Sequence, residues 1–200
     1  MPEKNGPLKL YVKDFDNNGA TEQVMAYTID GKEYPFLAKD ELERRLPVLK
    51  KAYLSYGEVA GKTVQYMFYD LFKDYLELKA EILSSSCFIN DGKGNFKRQN
   101  LPDELQLAPI MSFINSTKPG TFIAGGNFFA VIPFEGRYDA LLPTGFSYNP
   151  GTKSFDIGFN ISNIDGEVRD AKWIITPNRK KILMIARNNK EILFLENHDN

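Results

Sequence analysis

Short runs of β-favouring residues, broken by turn-forming pairs about every 8–12 residues, limit this chain most strongly. Asp30-Gly31 is a tight-turn signal between 23–29 and 32–37. A glycine-rich tip at 90–96 follows the run 82–89, and a loop at 115–120 parts 108–114 from 121–127. The stretch 145–159 turns at Asn149-Pro150-Gly151-Thr152. The last segments, 168–175, 181–187 and 191–195, turn at Asn188-Asn189. Fifteen Phe and ten Tyr suit packed sheets. The pattern predicts a mainly β chain, built as a repeated meander of about three β-propeller-like blades.

One stretch breaks the β period. Leu42, Leu46, Leu49 and Tyr53 recur at helical spacing, with Arg44, Arg45, Lys50 and Lys51 facing away. Asp40 and Glu43 resemble a capping box. Pro47 either divides this helix or begins a second turn of it. A second apolar stripe runs through Val64, Met67, Phe68, Leu71, Phe72, Tyr75 and Leu76. Packing against the neighbouring sheet is the plainer reading of that stripe, and a partner-binding groove is the sharper one.

Between Val12 and Gln23 the chain reads Asp14-Phe15-Asp16-Asn17-Asn18-Gly19-Ala20-Thr21-Glu22. Calcium takes about six to eight oxygen ligands. Asp14, Asp16, Asn18 and Glu22 supply side-chain oxygens, and the Ala20 carbonyl and water supply the rest. An EF-hand needs flanking helices and a bidentate Glu at its twelfth position, where this chain has Met25. The loop therefore reads as a calcium loop between strands. An Asx-rich turn without metal is the alternative, because Asp, Asn and Gly favour turns in any case.

Charge and composition exclude several classes. Lys and Arg (25) balance Asp and Glu (26), giving a net charge of −1, so no field points to nucleic acid or an acidic lipid surface. Arg44, Arg45, Lys50 and Lys51 form a small local patch that reads as a solvated helix face. The single Cys87 cannot form an internal disulfide and reads as a strand-buried thiol. The single His198 argues against His-dependent triads and His-ligated zinc. No apolar run reaches membrane-span length, and 2–7 reads as an exposed leader without a signal-peptide pattern.

The strand–loop–strand unit from Val12 to Ile29 resembles the blade motif of the FG-GAP or VCBS repeat family of bacterial calcium-loop β-propellers. The nearest likeness is to Bacteroidetes VCBS-repeat proteins that carry an ASPIC/UnbV-type domain. Asn90–Phe96 with Leu101-Pro102, Gly136–Asp139, Glu167–Asp170 and Ala186–Asn189 resemble that subgroup as well. The resemblance implies one propeller-like unit over 1–200, with 39–78 as a helical insertion between blade strands. It also implies a secreted, periplasmic or cell-surface setting. One structural calcium site is expected, because 115–120 carries no carboxylate and 164–167 is too poor in ligands. About three blades are too few to close a propeller of about four to eight. Upstream blades, a second copy through an open blade edge, or an open packing of sheets would each answer that shortfall.

The functional expectation is a non-catalytic, calcium-stabilised binding or assembly module whose partner is a protein or polysaccharide. Arg137, Tyr138 and Asp139 are candidate contact residues, since Arg and Tyr are frequent hot-spot types. An internal Arg137–Asp139 pair with Tyr138 beside it is the plainer reading. Arg169 with Asp170, and Arg187, read as structural pairs. The alternatives are a carbohydrate hydrolase using acids among Asp139, Glu167 and Asp170, or a docking platform presenting Phe68, Phe72 and Tyr75.

Overall fold

The computed structural model describes residues 6–131 and 136–196, and its fold is mainly β. The chain divides at Leu83/Ser84 into two compact units, each with its own core, where the sequence suggests one unit over 1–200. Among the described residues there are four antiparallel sheets, and no closed barrel or propeller.

The first unit contains one four-stranded sheet. Strands β1 (Leu8–Lys13), β2 (Glu22–Ile29), β3 (Lys32–Pro35) and β4 (Leu76–Ala80) lie in the order β3-β2-β1-β4. Asp30 and Gly31 have φ of 49° and 73°, the double left-handed conformation of a type I′ turn, and β2 and β3 pair directly across it. Helices α1 (Lys39–Arg45), α2 (Pro47–Ala52), α3 (Tyr56–Val59) and α4 (Val64–Phe68) carry the chain from edge strand β3 to edge strand β4.

Pro47 divides α1 from α2 and sits at the first position of α2. The residue before a proline avoids the helical region, and Leu46 has φ −128° and ψ 78°. The expected Asp40/Glu43 capping box does not form. Glu41 Oε2 instead accepts the Ala38 N–H at 3.4 Å, and Glu43 pairs with Lys39 one turn back. The second apolar stripe is also shorter than its spacing implies. Tyr69 takes φ 38°, which ends α4, and a 3₁₀ turn over Tyr69–Leu71 and a second left-handed residue, Asp74, lead into β4. Leu76 thus belongs to a strand.

The helices cover one face of the sheet. Tyr11, Val24 and Ala26 from that face pack in one cluster with Leu42, Leu46, Leu49, Val64, Met67 and Phe68. Arg44, Arg45, Lys50 and Lys51 are exposed, as the helical spacing requires. Tyr11 meets Phe72 and Tyr75 edge-on, with centroids 4.6 and 4.8 Å apart. The stripe through Phe68, Phe72 and Tyr75 is therefore part of the core.

The second unit stacks three sheets. Hairpin β5 (Ser86–Asn90) and β6 (Phe96–Asn100) comes first. A four-stranded sheet follows, β7 (Ile110–Asn115), β8 (Thr121–Gly126), β9 (Thr144–Asn149) and β10 (Ser154–Asn160), in the order β10-β9-β8-β7. Strands β11 (Val168–Ile175), β12 (Lys181–Arg187) and β13 (Leu193–Glu196) form the third sheet. The four-stranded sheet is covered on both faces. Phe122 and Phe146 join the cluster of Leu101, Leu105 and half-buried Cys87, while Ile123 joins Val168, Leu183 and Ile185 on the other side. Burial raises the pKa of the Cys87 thiol.

Two glycines permit close approach, Gly125 between sheets and Gly126 between neighbouring strands of one sheet. A Cβ on Gly125 would stand 2.9 Å from Val168 Cγ1, and one on Gly126 would stand 1.9 Å from the Pro109 carbonyl oxygen. The second contact is with backbone, which cannot rotate aside. Gly126→Ala is expected to destabilise the second unit by about 1–3 kcal/mol or more, read as a lower urea midpoint. Gly57→Ala, whose Cβ would meet only Ser55 Oγ at 3.9 Å, is expected to be neutral or slightly stabilising.

Candidate metal centre

The acidic loop connects β1 and β2, which are hydrogen-bonded neighbours with Lys13 opposite Glu22. Both ends of the loop are thus pinned by the ladder. Its middle is pinned by Phe15, which is 1% exposed and lies 5.3 Å from the Phe68 ring centroid. Burying that ring directs its neighbours Asp14 and Asp16 away from the core, as alternation along an extended chain requires. Asn17 at φ 57° and Gly19 at φ 89° then reverse the chain.

The carboxylates of Asp14, Asp16 and Glu22 converge, with one oxygen from each within 4.8 Å of the others. Two of them are oriented by backbone donors. Asp14 Oδ1 and Oδ2 accept the N–H groups of Asn18 at 3.0 Å and Gly19 at 2.8 Å. Glu22, buried at the start of β2, accepts the Phe15 N–H at 2.9 Å through Oε2. Asp16 differs, because its Oδ1 is fully buried and has no hydrogen-bond partner. A buried carboxylate oxygen without a donor is costly, and a hard cation is the kind of group that satisfies it. The donor set, three carboxylates and no nitrogen or sulfur, fits calcium.

The other two residues of the expected ligand set sit in the same turn. Asn18 Oδ1 accepts the Ala20 N–H at 2.7 Å, closing an Asx turn. Phe15 is the contributor that ligand spacing does not reveal. Its signal is an aromatic residue inside an otherwise polar loop.

The second unit holds a different carboxylate. Glu167 is 4% exposed and accepts from the Phe129 N–H at 2.9 Å, the Asn188 amide at 2.8 Å and the Arg169 guanidinium. These donors, led by the Phe129 N–H and the Asn188 amide, hold its carboxyl below the usual glutamate range. Arg169 pairs with Glu167 and not with Asp170, which faces Lys172 at 3.3 Å. Residues two apart along an extended chain share a face and adjacent ones do not. Arg187 pairs with Asp165 at 3.1 Å.

Beside this network, buried Asn127 clamps Leu141 by accepting its N–H and donating to its carbonyl, both at 3.0 Å. Arg137, Tyr138 and Asp139 lie in the loop so closed, and all three are exposed. Among the described residues Arg137 and Asp139 form no ion pair. Arg137 lies over the Phe129 ring at 5.1 Å, and Tyr138 pairs with Phe128 through backbone hydrogen bonds. His198 lies outside the described residues.

No protein-family model matches the chain, and no curated protein and no solved structure matches it.

Glu167 carries a pH prediction. Its folded-state pKa lies below the unfolded value near 4.5, so its contribution is fully present above that value. The contribution is lost as pH falls through the depressed folded pKa. Urea midpoints of the second unit, measured from about pH 6 to about pH 3, are expected to fall less steeply in Glu167→Gln than in the parent.

Proposed function

We propose that the chain is a non-catalytic binding or assembly module stabilised by one structural calcium ion, of the FG-GAP/VCBS propeller-repeat type, working outside the cytoplasm. The observation that carries this reading is the buried, unpartnered Oδ1 of Asp16 within the Asp14/Asp16/Glu22 cluster. Asp14, Asp16 and Glu22 would hold the ion, with Asn18 and the Ala20 carbonyl completing the set. Bound calcium would neutralise three like charges and tie the β1–β2 connection together. Interstrand loops of modest affinity, with Kd of order 10⁻⁴–10⁻³ M, suit calcium-rich surroundings outside the cell. The strand–loop–strand arrangement and the stacked antiparallel sheets support the family reading.

The state of Glu167 argues against one role, that of a glycosidase's general acid. A glycosidase acid needs a raised pKa and a free proton to give. Glu167 has a lowered pKa and is engaged by three donors. Among the described residues no helix is long and apolar enough to cross a membrane. Exposed Arg137, Tyr138 and Asp139 are proposed as contacts to a partner protein or polysaccharide.

Thermal unfolding with calcium and with chelator tests the proposal. At about one hundred times Kd, an ion bound only to the folded state adds about 2.7 kcal/mol. For a domain the size of the first unit this is a rise in Tm on the order of 10–20 °C. Asp16→Asn is expected to remove the shift while leaving the chelated protein as stable as the parent, or more so. Equal melting of the parent in calcium and chelator would end the metal reading.

A further inference from the structure

We propose that the second unit carries a saccharide-binding groove at the turn end of its four-stranded sheet, between Phe159 of β10 and Trp173 of β11. This names a ligand class for the binding module proposed above and rests on that reading.

The groove has a volume of about 270 Å³. That lies just below the span of about 300–1,000 Å³ found for sites that take drug-sized ligands. It suits one pyranose ring. The floor is made by β8 and β9, where Thr121 stands opposite Ser147 and Ile123 opposite Gly145. Because position 145 has no side chain, the Phe159 ring lies across it, and a Cβ there would meet three ring atoms at 2.4–2.8 Å. The ring is nonetheless 47% exposed, which leaves apolar aromatic surface open on the groove.

Trp173 forms the other aromatic boundary. Its indole N–H donates to the Asn115 carbonyl at 2.8 Å, which fixes the ring's orientation. The polar part of the lining includes the hydroxyls of Ser116, Thr121 and Ser147 and the ammonium of Lys118. Among the described residues these four side chains form no hydrogen bond or ion pair.

A pyranose is amphiphilic in just this sense. One face is a patch of C–H bonds carrying small positive charge, which favours the negative face of an aromatic ring, and its rim is a ring of hydroxyls that both donate and accept. Phe159 and Trp173 answer the face, and the hydroxyls and Lys118 answer the rim. A purely apolar ligand would leave four polar groups dehydrated without partners. A phosphate would find a single cation in the lining, Lys118.

Trp173 is the sole tryptophan of the chain, so intrinsic fluorescence reports on the groove directly. The folded protein is titrated with methyl β-glucoside, methyl β-galactoside, methyl α-mannoside, N-acetylglucosamine and glucuronate, each to about 50 mM. A ligand of one-ring size is expected to bind with Kd on the order of 1 mM. Saturable change with at least one probe is expected, weakened about 3- to 10-fold in Phe159→Ala. Lys118→Ala, an exposed loop change that leaves the sheet intact, is expected to weaken it as well. No saturable response to any probe would overturn the proposal, and so would a response unchanged in both variants. Calcium-dependent melting reads the first unit and Trp173 emission reads the second, so failure of one is distinguishable from failure of the other.

Discussion

A sheet with apolar side chains on both faces must be covered on both, and the second unit is arranged around that requirement. Strand β8 reads Thr-Phe-Ile-Ala-Gly-Gly, and its last four residues are all buried. Phe122 faces the hairpin side and Ile123 faces β11–β13, so neither face can be left to water. Covering both brings three layers together. Gly125 leaves room for the Val168 side chain of the next layer, while Gly126 lets the Pro109–Ile110 backbone of the neighbouring strand approach within the sheet. Close approach also buries polar groups, and these have to find partners among themselves. Asn127, held at φ 83° beside the two glycines, supplies donors to Leu141 and Gly166 and an acceptor to Leu141. Glu167 performs the same service for Phe129, Asn188 and Arg169. The polar network follows from the apolar layering.

The first unit solves a similar problem with helices. Its sheet buries Tyr11, Val24 and Ala26 under α1, α2 and α4, and Phe15 extends that core into the acidic loop. One consequence is that hydrophobic packing and the β ladder both hold the loop in shape. A loop preorganised in this way would give a cation a larger differential affinity for the folded chain than a floppy loop of the same composition.

Much of this was legible in the sequence because turn chemistry is local. Asp30-Gly31 and Asn189 take left-handed conformations that few other residues adopt, Asn149 folds its turn by accepting the Gly151 and Thr152 N–H groups, and strands meet at all three turns. Helical spacing placed Leu42, Leu46 and Leu49 in the core. What failed was the part set by long-range contacts. The stripe through Tyr75 and Leu76 kept helical spacing, yet pairing of β4 with β1 prevailed over it. Arg169 had an adjacent acid in Asp170, but strand alternation gave it Glu167. The division into two units was carried only by the short run Ser84-Ser85-Ser86 at the boundary, which is a weak signal beside the separate cores. Within the acidic loop, spacing located the oxygens but could not show that Phe15 anchors them.

The two buried carboxylate sites differ in a way that bears on the metal. Glu167 is surrounded by donors: an amide N–H, an amide side chain and a guanidinium. Its charge is stabilised by the protein alone, and a cation brought there would have to compete with Arg169. The loop offers the opposite arrangement. Asp14 and Glu22 use backbone N–H groups on some of their lone pairs, but no side-chain cation joins the cluster among the described residues, and Asp16 Oδ1 has no donor at all. A folded chain rarely leaves a buried carboxylate oxygen in that condition, since the cost of an unmade hydrogen bond to a charged group is about 1–3 kcal/mol or more. A hard cation bound there would offset that cost, and its binding would then add to the stability of the first unit.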